Sequence, residues 1–180
     1  MIKEITLSVP KYVYKFLLSE PDYDHLGPGV ILAPQKSEIG KLIVCMSKMI
    51  HYNQTFETPA KTKSNEILTI RYKCKKKAFD VPVDRYAALS AFFIEQFRAS
   101  LIREVSAVHL LHGGWDYGWC VRSFLARRNI VVSDSLDKDM EWEAAKKIYR
   151  DHRQELDSKL LTSRKVSEPV LSGLGAFCPV

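Results

Sequence analysis

Residues 109–120, HLLHGGWDYGWC, hold the densest group of side chains that could bind a metal or act as a nucleophile. His109 and His112 lie three positions apart and share one face of a helix, while Asp116 and Cys120 follow across a Gly-Gly corner. Imidazole, carboxylate and thiolate groups are zinc ligands. The stretch has neither an HExxH motif nor a CxxC partner, so it is more typical of a packed corner between two helices. We expect no metal and no cofactor, although the sequence leaves open whether His109, His112 and Cys120 converge on a metal.

Other catalytic motifs are incomplete. In LGPGVILAPQKSEIGKL, Gln35 and Leu42 occupy the positions where a Walker loop needs a glycine and a serine or threonine. No GxSxG elbow is present. The acidic run DSLDKDMEWE could hold magnesium in a nuclease, but carboxylates at the start of a helix are also stabilised by the helix dipole. We therefore predict a protein that is not an enzyme, and a metal-dependent enzyme is the weaker alternative.

The positive charge is concentrated in one segment. The formal net charge is +6, and residues 61–77 contain seven basic residues against Glu66 alone. These are Lys61, Lys63, Arg71, Lys73, Lys75, Lys76 and Lys77. Clustered lysines repel one another, so this cluster indicates an anionic partner such as the phosphates of nucleic acid. The alternative is that the lysines protect a turn or strand edge against aggregation.

A predicted helix near the C-terminus carries a second basic stripe. Lys146, Arg150 and Arg153 recur at helical spacing with Lys147 beside them, whereas the acidic residues of this helix lie largely on another side. Such a stripe could contact phosphates or enter a major groove. The alternative is a solvated helix whose long basic side chains cover its apolar edge.

Hydrophobic periodicity predicts the elements that position these residues. Alternation over residues 4–9 predicts a strand, and short helices are expected after Pro10 and after Ser37, which would cap a helix reaching Ile50. Residues 21–29 and 51–65 are predicted loops. Three helices follow, over about 84–112, 116–128 and 137–161. The predicted fold class is α+β: a small, mostly antiparallel sheet with two short helices, followed by a three-helix C-terminal part.

The basic cluster is expected at the tip of a hairpin. Leu68, Ile70 and Tyr72 alternate with polar residues, and residues 79–83 can form the return strand, so KCKKK over 73–77 would be the turn. We expect one α+β domain over 1–161, made of a sheet-containing part (1–83) and a helical part (84–161). Residues 162–180, rich in serine, glycine and proline, are expected to form a flexible tail.

Cysteine usage and the absence of targeting signals indicate a compartment. The four cysteines, at 45, 74, 120 and 178, form no close pair, which fits a reducing environment better than a disulfide framework. We see no signal peptide and no apolar run long enough to cross a membrane. The expectation is a cytoplasmic protein with no membrane partner and no small-molecule substrate.

Two stretches carry a resemblance. VPKYVYKFLL near the start, and FLARRNIVVSDSLDKDMEWEAAKKIYRDHR near the end, resemble a group of small uncharacterised proteins from phages and mobile elements of gut bacteria. The likeness covers the two ends of the chain and is loose in the middle. It implies a DNA-associated or phage-accessory role and carries over no functional residue.

The leading hypothesis is a non-enzymatic DNA-binding accessory protein. Lys73, Lys75, Lys76 and Lys77, with Arg71, would contact phosphates, and Lys146, Lys147, Arg150 and Arg153 would form a second surface. Arg127 and Arg128 would bridge the two. The main alternative is a protein-interaction module, or a homodimer, that uses Trp115, Tyr117 and Trp119 as an exposed aromatic anchor.

Overall fold

The computed structural model describes residues 1–49, 62, 64–74, 78–111, 116–132 and 138–166, with side chains up to 162. The fold is α+β, as predicted. Strands β1 (Ile2–Pro10), β2 (Asp24–Gly27), β3 (Val30–Ala33) and β5 (Asn65–Lys73) form one sheet in the order β1-β5-β3-β2. A smaller sheet pairs β4 (Lys48–Met49) with β6 (Phe79–Asp80).

β1 and β5 form the centre of the fold. They run antiparallel in a continuous register from Ile2 opposite Lys73 to Pro10 opposite Asn65. The two faces of this ribbon differ because side chains alternate along a strand. Six side chains on one face are almost fully buried: Ile5, Leu7, Val9, Leu68, Ile70 and Tyr72. The alternation of apolar and polar residues in the sequence predicts both the three buried residues of β1 and the three of β5.

The predicted hairpin of β5 with residues 79–83 is wrong. β5 pairs with β1 on one side, and on the other side with β3 in a parallel arrangement. Both edges of β5 are therefore occupied, and β6 pairs with β4 instead. Asp80 is held beneath the sheet, where its carboxylate accepts hydrogen bonds from Tyr72 Oη at 2.6 Å and from Lys3 Nζ at 3.2 Å.

The two short helices form where the sequence predicts them. α1 (Lys11–Ser19) follows Pro10, and α2 (Glu38–Met46) is capped by the Ser37 hydroxyl, which accepts from the Gly40 N–H at 3.0 Å. α2 ends at Met46 rather than reaching Ile50, because the chain enters β4 two residues later. The predicted loop over 21–29 also contains an element, β2.

The long helix α3 (Tyr86–Leu111) is the central helix of the core, as its apolar circumference predicts. A 3₁₀ turn over Val83–Arg85 precedes it. Apart from Ser100, its buried side chains recur at every fourth position: Leu89, Phe93, Phe97, Leu101, Val105 and His109. The Phe97 ring lies 4.9 Å from the Tyr12 ring and 5.9 Å from the Phe124 ring, which joins α1, α3 and α4.

The last two helices complete the helical part. α4 (Tyr117–Arg127) begins at Asp116, whose carboxylate caps Gly118 N–H, and ends before Asn129, whose φ of 53° lies in the left-handed region. α5 (Trp142–Val166) starts five residues later and ends five residues later than the predicted range of 137–161. The predicted tail therefore begins inside α5, and residues 167–180 lie outside the described residues. No helix in the described ranges combines the length and apolarity needed to cross a membrane.

Candidate nucleic-acid interface

One side of α5 together with the adjoining side of α4 forms the larger described basic surface. Lys146, Arg150 and Arg153 lie along α5, and all but the half-buried Lys146 are exposed. Arg122 joins them from α4, because its guanidinium lies 4.7 Å from the centre of the Trp142 ring. The Lys146 ammonium lies 6.0 Å from the centre of the Tyr117 ring. These four residues are called the helix surface below.

The contacts of the helix surface are weak electrostatically. Arg150 Nε is 3.9 Å from the carboxylate of its neighbour Asp151, at the limit of an ion pair, and both side chains are about half exposed. Within the described part of the chain, Arg122, Lys146 and Arg153 have no carboxylate partner. The two aromatic contacts orient the basic groups of Arg122 and Lys146 without neutralising them.

The opposite side of α5 is acidic. It lines a cleft of about 780 Å³ between α3 and α5, which also contains Tyr12 of α1. Four carboxylates line this cleft: Glu95, Glu141, Asp151 and Glu155. Lys147 lines the same cleft, so the structure separates it from Lys146, Arg150 and Arg153. Because Lys147 faces this cleft, in which Arg98 also lies, it does not extend the helix surface.

A second basic surface lies where β5 ends. Lys73 is exposed, and it lines the same cleft as Lys41 of α2, 32 positions away in the sequence. These two lysines are called the strand-end surface below. Lys61, Lys63, Lys75, Lys76 and Lys77 lie outside the described residues. Sequence reasoning missed Lys41 because no periodic pattern connects it to β5; only the folded sheet brings it there.

Arg71, grouped with these lysines in the sequence, has an internal partner. Its Nε lies 2.6 Å from the carboxylate of Glu4, directly opposite in the register of β1 and β5. Both side chains are about half exposed, so the pair contributes little to stability, but it lowers the effective charge that Arg71 presents.

Arg127 and Arg128 are structural, and the expectation that they bridge two phosphate-binding surfaces finds no support in their contacts. Arg127 pairs with Glu104 at 2.8 Å. Arg128 is 11 % exposed, contacts Glu20 at 3.0 Å and also pairs with Glu104. Its guanidinium lies 4.0 Å from the centre of the Phe124 ring. Arg128 thus joins α1, α3 and the end of α4.

The histidine-rich corner is packed rather than open. His109 is buried, and its Nδ1 lies 3.1 Å from Tyr149 Oη. Tyr117 packs its ring against both His109 and Tyr149, at 6.3 and 5.4 Å between ring centres. Cys120 is buried on the core side of α4. His112 and Trp115 lie outside the described residues, within which no three His, Cys, Asp or Glu side chains form a metal-binding group.

The acidic run before α5 also has a structural role. Asp139 accepts a hydrogen bond from Val131 N–H at 2.7 Å and pairs with Lys15 of α1 at 2.5 Å. Its side chain is 4 % exposed. Glu143 lies in the first turn of α5, where the helix dipole favours a carboxylate. Residues 133–137 lie outside the described residues.

The two basic surfaces lie at different levels of α3. Glu38, one turn before Lys41 on α2, accepts a hydrogen bond from the Gln96 amide in the middle of α3 at 3.2 Å. His109, near the end of α3, packs against Tyr117, whose ring lies beside Lys146. At 1.5 Å per residue, the part of α3 between Gln96 and His109 is roughly 20 Å long. The surfaces are therefore separate and do not form one continuous patch.

Comparison with known proteins identifies no relative: no protein-family model, no curated protein and no solved structure matches this chain.

Proposed function

We propose that this protein binds nucleic acid without catalysing a reaction, as an accessory protein. The observation that supports this proposal most directly is the stripe of basic side chains on the side of α5 that adjoins α4. Arg122, Lys146 and Arg153 have no carboxylate partner among the described residues, and Arg150 lies 3.9 Å from its nearest one. Positive charge that the fold leaves without a partner favours an anionic ligand.

Phosphates are the partner chemistry that suits the helix surface. Exposed arginine and lysine groups neutralise backbone phosphates and release condensed counterions, which gives sequence-independent binding. Arginine also offers a planar fork of donors that matches the geometry of a phosphate. The strand-end surface, with Lys41 and Lys73, adds a second point of contact, and the lysines of residues 75–77 extend it in sequence.

A matched pair of double charge reversals on α5 tests this function. Arg150→Glu/Arg153→Glu changes the helix surface, and Lys147→Glu/Lys159→Glu makes the same change in net charge elsewhere on the same helix. Lys159 pairs with Glu155 on the acidic side. We expect the first variant to weaken binding to a random 24-base-pair duplex by roughly tenfold or more, and the second by much less. Equal losses would mean that only net charge matters, and no loss in either would contradict the proposal.

A protein-interaction module is the second candidate, because several apolar side chains are exposed where α3 ends and α4 begins. Trp119 is 63 % exposed, and Leu110 and Leu111 are 80 % and 85 % exposed. Tyr117, expected to be part of the same anchor, is instead half buried between His109 and Tyr149. Sedimentation measured at low and high salt tests this candidate. Self-association that persists at high salt and disappears in Trp119→Glu would favour it over nucleic-acid binding.

A cytoplasmic location and an origin in a phage or mobile element are parts of the same proposal. The second rests only on the resemblance of VPKYVYKFLL and of residues 124–153 to such proteins.

A further inference from the structure

Three clefts on the described surface differ in their charges. The cleft between α1, α2 and α3 contains the carboxylates of Glu20, Asp22 and Glu38, and the cleft between α3 and α5 contains four more. The third cleft, at the end of β5, has a volume of about 540 Å³, and the side chains lining it include Lys41 and Lys73 but no carboxylate. Of these three, this basic cleft is the one suited to an anion.

The walls of the basic cleft come from three separate parts of the chain. α2 provides Lys41, Val44 and Cys45, the end of β5 provides Tyr72 and Lys73, and Phe79 of β6 closes one side. Val44 is 56 % exposed and Phe79 is half buried, so apolar surface faces the cleft between the two lysines. An apolar ligand group that covered this surface would release water from it.

The polar groups around the basic cleft leave the lysines available to a ligand. The Gln35 amide donates to the Lys73 carbonyl at 2.9 Å, the Ser47 hydroxyl donates to the Ile43 carbonyl, and Tyr72 Oη donates to Asp80. Among the described residues, neither the Lys41 nor the Lys73 ammonium has an ion-pair partner. The cleft therefore combines two positive groups with apolar side chains in its lining.

We propose that this basic cleft receives an unstacked base of a single-stranded nucleic acid, with the flanking phosphates held by Lys41 and Lys73. This inference rests on the proposed function and names its substrate class. A flat, apolar base joined to anionic phosphates matches a lining that combines apolar side chains with lysines. The cleft volume lies within the range of roughly 300–1,000 Å³ that is typical of ligand sites.

A nucleic-acid duplex cannot make the same contacts in the basic cleft. In a duplex the base faces are stacked on one another, so only phosphates and base edges are presented to a protein. A duplex therefore contacts Lys41 and Lys73 but leaves the apolar wall of Val44 and Phe79 in water. A single strand can also place a base against this apolar wall. Any base can do so, because every base has a flat face.

Binding of fluorescein-labelled dT12, compared with a 12-base-pair duplex at equal salt, tests the proposal. We expect the wild-type protein to bind dT12 about tenfold more tightly, which is the typical gain from one base contact. Val44→Gln replaces an exposed apolar side chain of the basic cleft by a polar one without adding a charge or an aromatic ring, and is expected to reduce the single-strand preference while duplex binding persists. Ala144→Gln, which makes a polar substitution in the acidic cleft instead, is the control and is expected to keep the preference.

The outcomes separate this inference from the function on which it rests. Equal affinity for dT12 and duplex, or a preference that Val44→Gln leaves intact, would overturn the cleft assignment and leave nucleic-acid binding in place. Absence of binding to either ligand at low salt would overturn both. A second pair of variants compares Lys41→Gln in the basic cleft with Lys36→Gln in the cleft between α1, α2 and α3. Only Lys41→Gln should weaken dT12 binding. Equal effects of the two lysine variants would also overturn the assignment.

Discussion

At the scale of single residues, Arg128 shows why the charge of a side chain alone does not identify a binding surface. In the sequence it belongs to a basic pair, Arg127-Arg128, that could contact phosphates. In the fold it is buried between Glu20 and Glu104 and lies over Phe124. A cation of this kind compensates two carboxylates, and removing it leaves Glu20 without this partner while Glu104 keeps only Arg127.

Arg128→Ala is therefore expected to lower the free energy of unfolding by about 3 kcal/mol. Arg128→Lys keeps the charge but loses the fork and the ring contact, so we expect about half that loss. Urea unfolding followed by circular dichroism measures both. A loss below about 1 kcal/mol for Arg128→Ala would show that the two carboxylates do not depend on this arginine.

Buried tyrosines predict how stability depends on high pH. Burial, aided by the Glu20 carboxylate, raises the pKa of Tyr23 to about 12, and burial with the Asp80 hydrogen bond also raises the pKa of Tyr72. The folded protein therefore holds these protons more tightly than the unfolded chain, in which tyrosine has a pKa of 10.0. The stabilisation is complete below pH 10 and is lost as the pH rises from about 10 to 12.

Unfolding measured at pH 9 and pH 11 checks this dependence. We expect Tyr23→Phe to lose about 1 kcal/mol less than the wild type over this interval, because phenylalanine has no proton to release. Tyr12→Phe provides a comparison, because burial also raises the pKa of Tyr12, but by less than it raises the pKa of Tyr23. An identical loss in Tyr23→Phe and wild type would contradict the assignment.

At the scale of elements, local patterns predicted most of the fold and failed where pairing is decided at a distance. Alternation found β1 and β5, and apolar periodicity found α3 with residues 89, 93, 97, 101 and 105 facing the core. The hairpin prediction failed because β3, nearly forty residues earlier, occupies the second edge of β5. The same long-range arrangement brings Lys41 to Lys73, so half of the strand-end surface had no signal in the sequence.

Gly40 illustrates a helix residue whose role is visible only in the fold. In the sequence it forms part of a failed Walker motif; in the structure, a Cβ at this position would lie 2.0 Å from the Pro34 carbonyl oxygen. Replacing a helical glycine by alanine usually stabilises a protein by roughly 0.5–1 kcal/mol. Here the contact of the added Cβ with the Pro34 carbonyl makes the substitution destabilising instead.

Gly40→Ala is accordingly expected to destabilise the protein by more than about 1 kcal/mol, because the 34–37 turn must move. Gly118→Ala is the comparison, since its Cβ would meet the Asp116 side chain at 3.1 Å, and that side chain can rotate. Thermal unfolding of the two variants checks the order of the effects. An increase in Tm for Gly40→Ala would refute the close approach of α2 to the Pro34 carbonyl.

At the scale of the whole molecule, the distance between the two basic surfaces sets the size of the ligand. They are linked to levels of α3 that lie roughly 20 Å or more apart along its axis. A duplex rises about 3.4 Å per base pair, so at least about six base pairs are needed to span this distance. Shorter ligands reach only one surface at a time.

Affinity is thus expected to rise steeply between duplexes of about 8 and 16 base pairs and to change little beyond that. Titration of a series of labelled duplexes at constant salt measures the dependence. A smooth increase with length and no plateau would indicate that binding uses a single surface repeatedly along the duplex.

The measurement that tests nucleic-acid binding most directly is the salt dependence of affinity for a random 24-base-pair duplex, in the wild type and in Arg150→Gln/Arg153→Gln. We expect a log–log slope of about −4 or steeper for the wild type, and a slope shallower by about 2 for the variant, because two phosphate contacts are removed. An absence of binding at low salt, or an unchanged slope in the variant, would contradict the assignment of the helix surface to phosphates.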